Sequence, residues 1–163
     1  MFQTANEAIE FSLTKSQSLL HRMVDDLKPD EFERQPCLGG NCAAWILGHL
    51  VLTDRRVLAM LGRPVPDLPA GFEEMFQTTR KSAESQSGYG DPKVLISEFD
   101  RHRQLLIEAI RQATPQQLAT PLQNPHPLFG TVGEAAMFMG LHVMMHVGQI
   151  STIRRMLGYP PVA

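Results

Sequence analysis

The sequence predicts an all-α fold, a four-helix bundle with a crossover connection, in a single domain spanning residues 1–163. Four long stretches carry apolar residues at spacings of three and four between helix start and stop signals. No stretch alternates β-branched residues between Asn-Gly or Asp-Gly turns, so sheet is not expected. A chain of 163 residues supports one sizeable core, and that length argues against two.

The first stretch opens at Thr4, with Glu7 three residues on as a capping box, and runs through Ile9, Leu13, Leu20, Val24 and Leu27 until "KPDE" stops it. The second starts after Asn41, read as an N-cap behind Gly39-Gly40. It continues "CAAWILGHLVLTDRRVLAML" to Gly62 and Pro64, with Ile46, Leu50, Val57 and Leu61 as its core stripe. The third begins at Asp91-Pro92, an N-cap followed by proline at the first helical position, and buries Leu95, Phe99, Leu106 and Ile110. The fourth begins at Thr131, where Glu134 completes a second capping box, and ends near Gly158. Because it is apolar on nearly every side, it is expected at the bundle centre or shared with a second subunit, with Met137, Met139, Met144 and Met145 filling core.

Two irregular stretches join these elements. "RPVPDLPAGFEEMFQTTRKSAESQSGYG" is too long for a simple connector; it predicts a short helix near Phe72–Phe76 and a crossover between the second and third helices. "TPLQNPHPLFG" is proline-punctuated and delivers His126 just before the fourth helix, while Thr114-Pro115-Gln116-Gln117 predicts a short capped turn.

Composition narrows the function classes. Hydrophobic residues make up 43% and charged residues 20%, the balance of an ordinary soluble globular domain. A net charge of -2, with no basic run longer than the pairs Arg55-Arg56, Arg80-Lys81 and Arg154-Arg155, argues against a nucleic-acid partner. The first residues lack a basic start followed by an apolar leader core, and no stretch reaches the ~18 apolar residues of a membrane span, so a cytoplasmic location without membrane contact is expected. Cys37 and Cys42 are spaced C-x4-C, neither a disulfide framework nor a zinc knuckle, and read as inert thiols.

The chemistry-bearing residues are histidines in apolar surroundings. "GLHVMMHVGQI" places His142 and His146 four apart, about 40° around a helix axis and one turn along it, so both imidazoles can hold one metal. Val143 stands where a zinc protease carries its glutamate base, which excludes that class. Gln149 continues the stripe and can orient a ligand or a bound water. His49, within "WILGHLVL", is a third inward-facing histidine, and three neutral nitrogens on two bundle helices form a site that leaves coordination positions free. Each histidine taken alone also reads as a core histidine satisfied by one hydrogen bond.

Further residues carry both a functional and a plain reading. Asp54, five residues after His49, and His102, between Phe99 and Leu106, stand as bases behind the ligands or as buried, hydrogen-bonded groups. His126 either closes over the pocket or is an exposed loop residue. Arg154 and Arg155 complement the fourth helix's dipole and Arg56 reads as a solvated or ion-paired face; such cations are able to take a substrate carboxylate.

The helices "NCAAWILGHLVLTDRR" and "GTVGEAAMFMGLHVMMHVGQISTIRRMLGYP", with "LKPDEFERQP" and "YGDPKVLISEFDRHRQLL" between them, resemble the DNA-damage-inducible DinB-like (DinB/YfiT-like) family of metal-binding four-helix bundles. That family is unrelated to the DNA polymerase of similar name. The resemblance implies a divalent metal on His49, His142 and His146, a bundle of crossed connectivity that is often a homodimer, and, in members of understood activity, chemistry with a low-molecular-weight thiol as co-substrate.

Three functions follow from these residues. In the first, a divalent metal, Zn or Ni by its imidazole ligands, lowers the pKa of a bound thiol or water for a transferase or hydrolase reaction on a small-molecule substrate. In the second, the histidine triad belongs to a non-catalytic metal- or ligand-binding module of a stress response. In the third, the histidines are buried and hydrogen-bonded in a purely structural bundle.

Overall fold

The computed structural model describes residues 1–77 and 87–162, so the Arg80-Lys81 pair lies outside the described residues. Its elements are α1 (Ala5–Val24), α2 (Ala43–Met60), α3 (Phe72–Phe76), α4 (Pro92–Gln112), α5 (Pro115–Leu118), β1 (Pro121–His126), β2 (Phe129–Thr131) and α6 (Val132–Met156). A short 3₁₀ turn, Pro29–Glu31, lies between α1 and α2.

Most helix ends follow the local chemistry of the sequence. Thr4 Oγ1 accepts the Glu7 N–H at 3.2 Å, but the Glu7 carboxylate takes the N–H of Gln3, at 2.7 Å, in place of the expected Thr4. Asp91 Oδ1 accepts the Lys93 N–H at 2.9 Å, with Pro92 at the first helical position. Thr114 with Gln117, and Thr131 with Glu134, form reciprocal capping boxes. At the far end of α6, Gly158 adopts φ 87°, and the Tyr159 N–H closes on the Arg154 carbonyl at 2.9 Å.

Asn41 is not the cap of α2. The N-cap is Cys42, without a side-chain hydrogen bond, and Asn41 Nδ2 points instead toward Gln149 Oε1, 3.4 Å away. A cap is dispensable there because the Phe32 carbonyl accepts the Ala44 N–H at 2.9 Å, satisfying one of the open donors of the first turn.

Sheet is present, against expectation. β1 and β2 pair antiparallel with His126 opposite Phe129 and Pro121 opposite Thr131, so Pro127 and Leu128 make the turn. The usual alternation signal is missing because β2 has only 3 residues, β1 begins with proline, and the register is irregular between its ends. The hairpin packs against α6.

Two buried clusters reveal the direction of each helix. One gathers the C-terminal end of α1 (Leu20, Val24), the N-terminal half of α2 (Ile46, Leu50), the start of α4 (Leu95, Phe99) and the later part of α6 (Val143, Ile150). The other gathers the opposite ends: Leu13, Leu58, Ile110 and Ala136. Hence α1 and α6 run one way, and α2 and α4 run the other. Each of α1 and α2 packs against both α4 and α6, which makes α2 and α4 parallel neighbours. Parallel neighbours cannot be joined by a tight turn; the chain must return the length of a helix. Residues 61–91 accomplish this return and carry α3 on the way.

Within one chain α6 is not buried on every side, which corrects the expectation of a helix at the bundle centre and is compatible with one shared with a second subunit. Met139 is buried, but Leu141, Met144, Met145 and Met156 are exposed, because the outer side of a bundle helix faces solvent whatever its composition. No helix among the described residues is long and apolar enough to cross a membrane. Neither cysteine is in a disulfide, and burial pushes the Cys42 thiol up to about 11, which keeps it protonated near neutrality.

Between the two clusters lies a dry ion pair. Arg103 Nε and Nη2 of α4 donate to the two carboxylate oxygens of Asp54 of α2 at 2.7 and 3.0 Å, and both side chains are fully buried. Arg103 Nη1 also reaches Ser16 Oγ of α1, at 3.4 Å. Burial pushes the Asp54 carboxyl up, and the guanidinium beside it pulls it back toward ionisation.

Close approach also matters at Gly48, where a Cβ would lie 2.3 Å from the Phe76 ring of α3. That ring is itself held, with centroids 4.5 Å from Phe72 and 5.4 Å from Tyr89.

Two stability outcomes are expected in urea unfolding. Arg103→Met strands the Asp54 carboxylate and should cost about 3–5 kcal/mol, whereas adding Asp54→Leu should restore much of that loss; additive losses would refute a coupled pair. Gly48→Ala should destabilise by about 1–3 kcal/mol through overpacking against Phe76, although alanine is the better helix former; a stabilised variant would show that the ring yields freely.

Candidate metal centre

The antiparallel packing of α2 on α6 brings His49 opposite His142 and His146. His142 Nε2 lies 3.3 Å from His49 Nε2 and 3.0 Å from His146 Nε2. Three imidazole nitrogens bound tetrahedrally at ordinary Zn–N lengths sit about 3.3 Å apart, so the spacing suits one ion. The three are the only group of metal-ligating side chains of this kind found among the described residues.

The remaining ring atoms set the tautomers. His146 Nδ1 lies 3.0 Å from Gln149 Oε1; an amide oxygen only accepts, so Nδ1 carries the proton and Nε2 presents a lone pair. The Phe76 backbone carbonyl also acts on the His49 ring, favouring its protonated form. The lone pair of His146 and the Nε2 of His49 therefore both face His142 Nε2, which has one proton at most to offer. A hydrogen-bonded histidine cluster would leave one of them unanswered, and a cation answers all three. His142 Nδ1 is buried without a partner. The donor set fits a divalent ion of the later transition series, including Zn and Ni.

All three rings are disposed to stay neutral. Burial, then the neighbouring His146 ring and Arg56, push His49 down to about 4. Burial, then His146 and His49, push His142 down to about 3. Burial also lowers His146, with Gln149 pulling the other way. Around them Trp45 stacks on His49 at 4.7 Å between centroids, and Phe138 lies parallel to His142 at 6.0 Å.

A pocket of about 270 Å³ opens beside the cluster, bordered by His49 and His142, by the apolar residues Val57, Phe138 and Met139, and by Arg56. The hairpin forms one wall: His126 stacks on Phe129 at 4.5 Å and borders the pocket.

The other residues singled out in the sequence divide. Gln149 stands behind His146. Asp54 does not join the cluster: five residues along a helix turn it about 140° from His49, toward α4, where it meets Arg103. His102 is also elsewhere, its Nδ1 2.8 Å from the Glu98 carbonyl and its Nε2 3.4 Å from Arg55 Nη1; α4 lies diagonally across from α6 and cannot bring it to the histidines. Arg154 is buried, bonded to the Met23 carbonyl at 2.9 Å and paired with Asp26, and Arg155 donates to the Tyr159 carbonyl at 2.8 Å. Arg56 alone of these arginines borders the pocket. Sequence reading missed the Phe76 carbonyl and the Phe138 and Phe129 walls. Phe138, four residues before His142, was findable by helical spacing; the Phe76 contact has no local signal.

The DinB superfamily model matches residues 12–150. The fold is similar to that of YfiT from Bacillus subtilis, described as "a probable metal-dependent hydrolase with an unusual four-helix bundle topology", with TM-score 0.70 and 15% identity over 98% of this chain and 91% of that one. A conserved protein from Enterococcus faecalis is similar with TM-score 0.78 and 14% identity over 96% of this chain and 99% of that one. At such identities the likeness is one of fold. No curated protein sequence matches the chain. With the family model covering most of its length, the chain belongs to the DinB superfamily.

Proposed function

We propose that this protein is a metal-dependent enzyme acting on a small molecule, with His49, His142 and His146 holding one divalent ion and a water or low-molecular-weight thiol as the nucleophile. The observation that carries this reading is the convergence of the three imidazole Nε2 atoms, with Gln149 turning the lone pair of His146 toward His142 Nε2. The description of YfiT as "a probable metal-dependent hydrolase" supports the same class. When bound, the ion supplies Lewis acidity and lowers the pKa of a coordinated water or thiol to the neutral range.

The chain's own residues do the rest. Gln149 fixes the tautomer and rotation of the His146 ring, and Trp45 packs the His49 ring flat. Phe138 and Met139 give the reacting end of a substrate a wall that excludes water. No aspartate or glutamate borders the pocket among the described residues, which favours a nucleophile that coordination alone deprotonates, as it does a thiol.

Elemental analysis should find about one divalent ion per chain, lost in a His146→Ala variant that keeps its helical circular dichroism. The loaded protein should then consume electrophiles in the presence of a low-molecular-weight thiol, or hydrolyse esters or amides without it, faster than the stripped protein. Unchanged metal content in the variant would overturn the ligand set, and bound metal without turnover across both panels would leave a binding module.

A pH dependence follows from the depressed histidines. Unfolded histidines titrate near 6.5, so as pH falls from there toward about 4 for His49 and about 3 for His142 the unfolded chain binds more protons than the folded one. Stability from these groups is fully present above 6.5 and is lost on acidification. The melting temperature of the metal-free protein should therefore drop between pH 7 and 4, less steeply in His142→Gln; parallel profiles would contradict the neutral cluster.

A further inference from the structure

The pocket beside the histidines is one-sided in charge. Its walls are apolar at Val57, Met60, Phe129, Phe138 and Met139, and no carboxylate borders it among the described residues. The Thr53 hydroxyl donates its one hydrogen to the Leu50 carbonyl at 2.9 Å and leaves an uncharged acceptor oxygen. His126 Nδ1 accepts the Leu128 N–H at 3.2 Å, so its other nitrogen carries the proton of the neutral ring. Every remaining polar side chain at the pocket is thus a donor, a cation or a nitrogen of the metal cluster.

Arg56 stands out among them. Its helical neighbour Arg55 is bonded to the Pro66 carbonyl and paired with Glu73 at 3.1 Å, and Asp54 is consumed by Arg103. Arg56 makes no hydrogen bond or ion pair with any described residue, although it borders this pocket and the adjoining cleft that Glu73 borders. It lies two turns from His49 on the same helix, close enough for its charge to act on the His49 ring.

We propose that Arg56 anchors the substrate's carboxylate, so that this pocket selects small organic carboxylates with an apolar body. The apolar walls take the body, the planar guanidinium takes both carboxylate oxygens, and the histidine cluster meets the far, reacting end. The inference rests on the proposed metal site for the identity of that reacting end. The charge argument strengthens with a divalent ion in place: three neutral ligands and a guanidinium leave the site strongly positive, and an anionic substrate offsets that charge. A pocket of about 270 Å³ restricts the choice to small molecules.

The test is binding, read without turnover. Metal-free wild type, Arg56→Gln and Arg56→Lys are titrated with 4-phenylbutyrate and its neutral amide, followed by the fluorescence of Trp45, the only tryptophan, and by calorimetry. Wild type should bind the acid about tenfold or more tightly than the amide, the preference should vanish in Arg56→Gln, and Arg56→Lys should keep part of it. Equal affinity for acid and amide in wild type, or an acid preference that survives in Arg56→Gln, would overturn the proposal. So would the absence of binding by every acid from phenylacetate to 5-phenylpentanoate at millimolar concentration, with and without zinc. A parallel zinc titration separates the two readings. An Arg56-dependent preference in a protein that takes up no zinc leaves the carboxylate anchor standing and removes the metal site; zinc uptake with an Arg56-independent preference does the reverse.

Discussion

The contact on which the site depends is the ion pair of Arg103 with Asp54, although neither residue touches the histidines. It fixes how α2 is turned about its own axis. Asp54 must face α4 to meet the guanidinium, and a residue five positions earlier then faces about 140° away, which is the direction of α6. His49 is aimed at His142 and His146 as a consequence. A buried pair of this kind is weak as a source of net stability, because two charges lose their water, but it penalises any rotation that separates them. Apolar contacts are non-directional, so the surrounding clusters constrain that rotation less sharply than a bidentate ion pair does.

The topology supplies the second constraint. With α2 and α4 parallel, the long return between them has to run the length of the bundle, and α3 uses that run to reach the histidine end of α2. Gly48 lets the Phe76 ring sit against the helix, and the backbone at Phe76 then meets the His49 ring. The connection is thus a structural part of the site, as its Phe76 carbonyl acts on one ligand ring. On the other ligand helix the corresponding task falls to a side chain, Gln149, three residues beyond His146.

What was legible in the sequence sorts by range. The long helices, the capping box at Thr131, the short capped turn at Thr114, the helix at Phe72–Phe76 and the crossover all follow from local spacing and loop length. Gln149 was legible for the same reason, being one turn from His146. Asp54 and His102 were misplaced because proximity in sequence, or a shared apolar stripe, says nothing about which neighbouring helix a residue faces. α6 is not central because each helix of a four-helix bundle keeps an outward side, and of the two expectations for it the one shared with a second subunit is compatible with exposed Leu141, Met144 and Met145. The hairpin was missed because its pairing lies in backbone geometry around prolines, where side-chain alternation is absent. Asn41 failed as a cap because a carbonyl from Phe32, distant in the helix register, had already taken a first-turn donor.

Among the described residues no carboxylate borders the pocket, and this links fold to chemistry. A metal site that draws an aspartate or glutamate from its own bundle neutralises much of its charge internally and can leave a protein base beside the nucleophile. Here the one acidic residue close in sequence to a ligand is turned away and paired with Arg103, and the pocket walls are apolar. The charge of a bound divalent ion is then answered by whatever enters the pocket, and Arg56 adds to that demand from the same helix. Such a site gains discrimination from electrostatics, because a neutral analogue of the right shape leaves two cationic centres partly desolvated and unanswered. The same Asp54–Arg103 pair that orients His49 therefore also withholds a carboxylate from the site, so the rotation of α2 and the charge of the pocket share one structural cause.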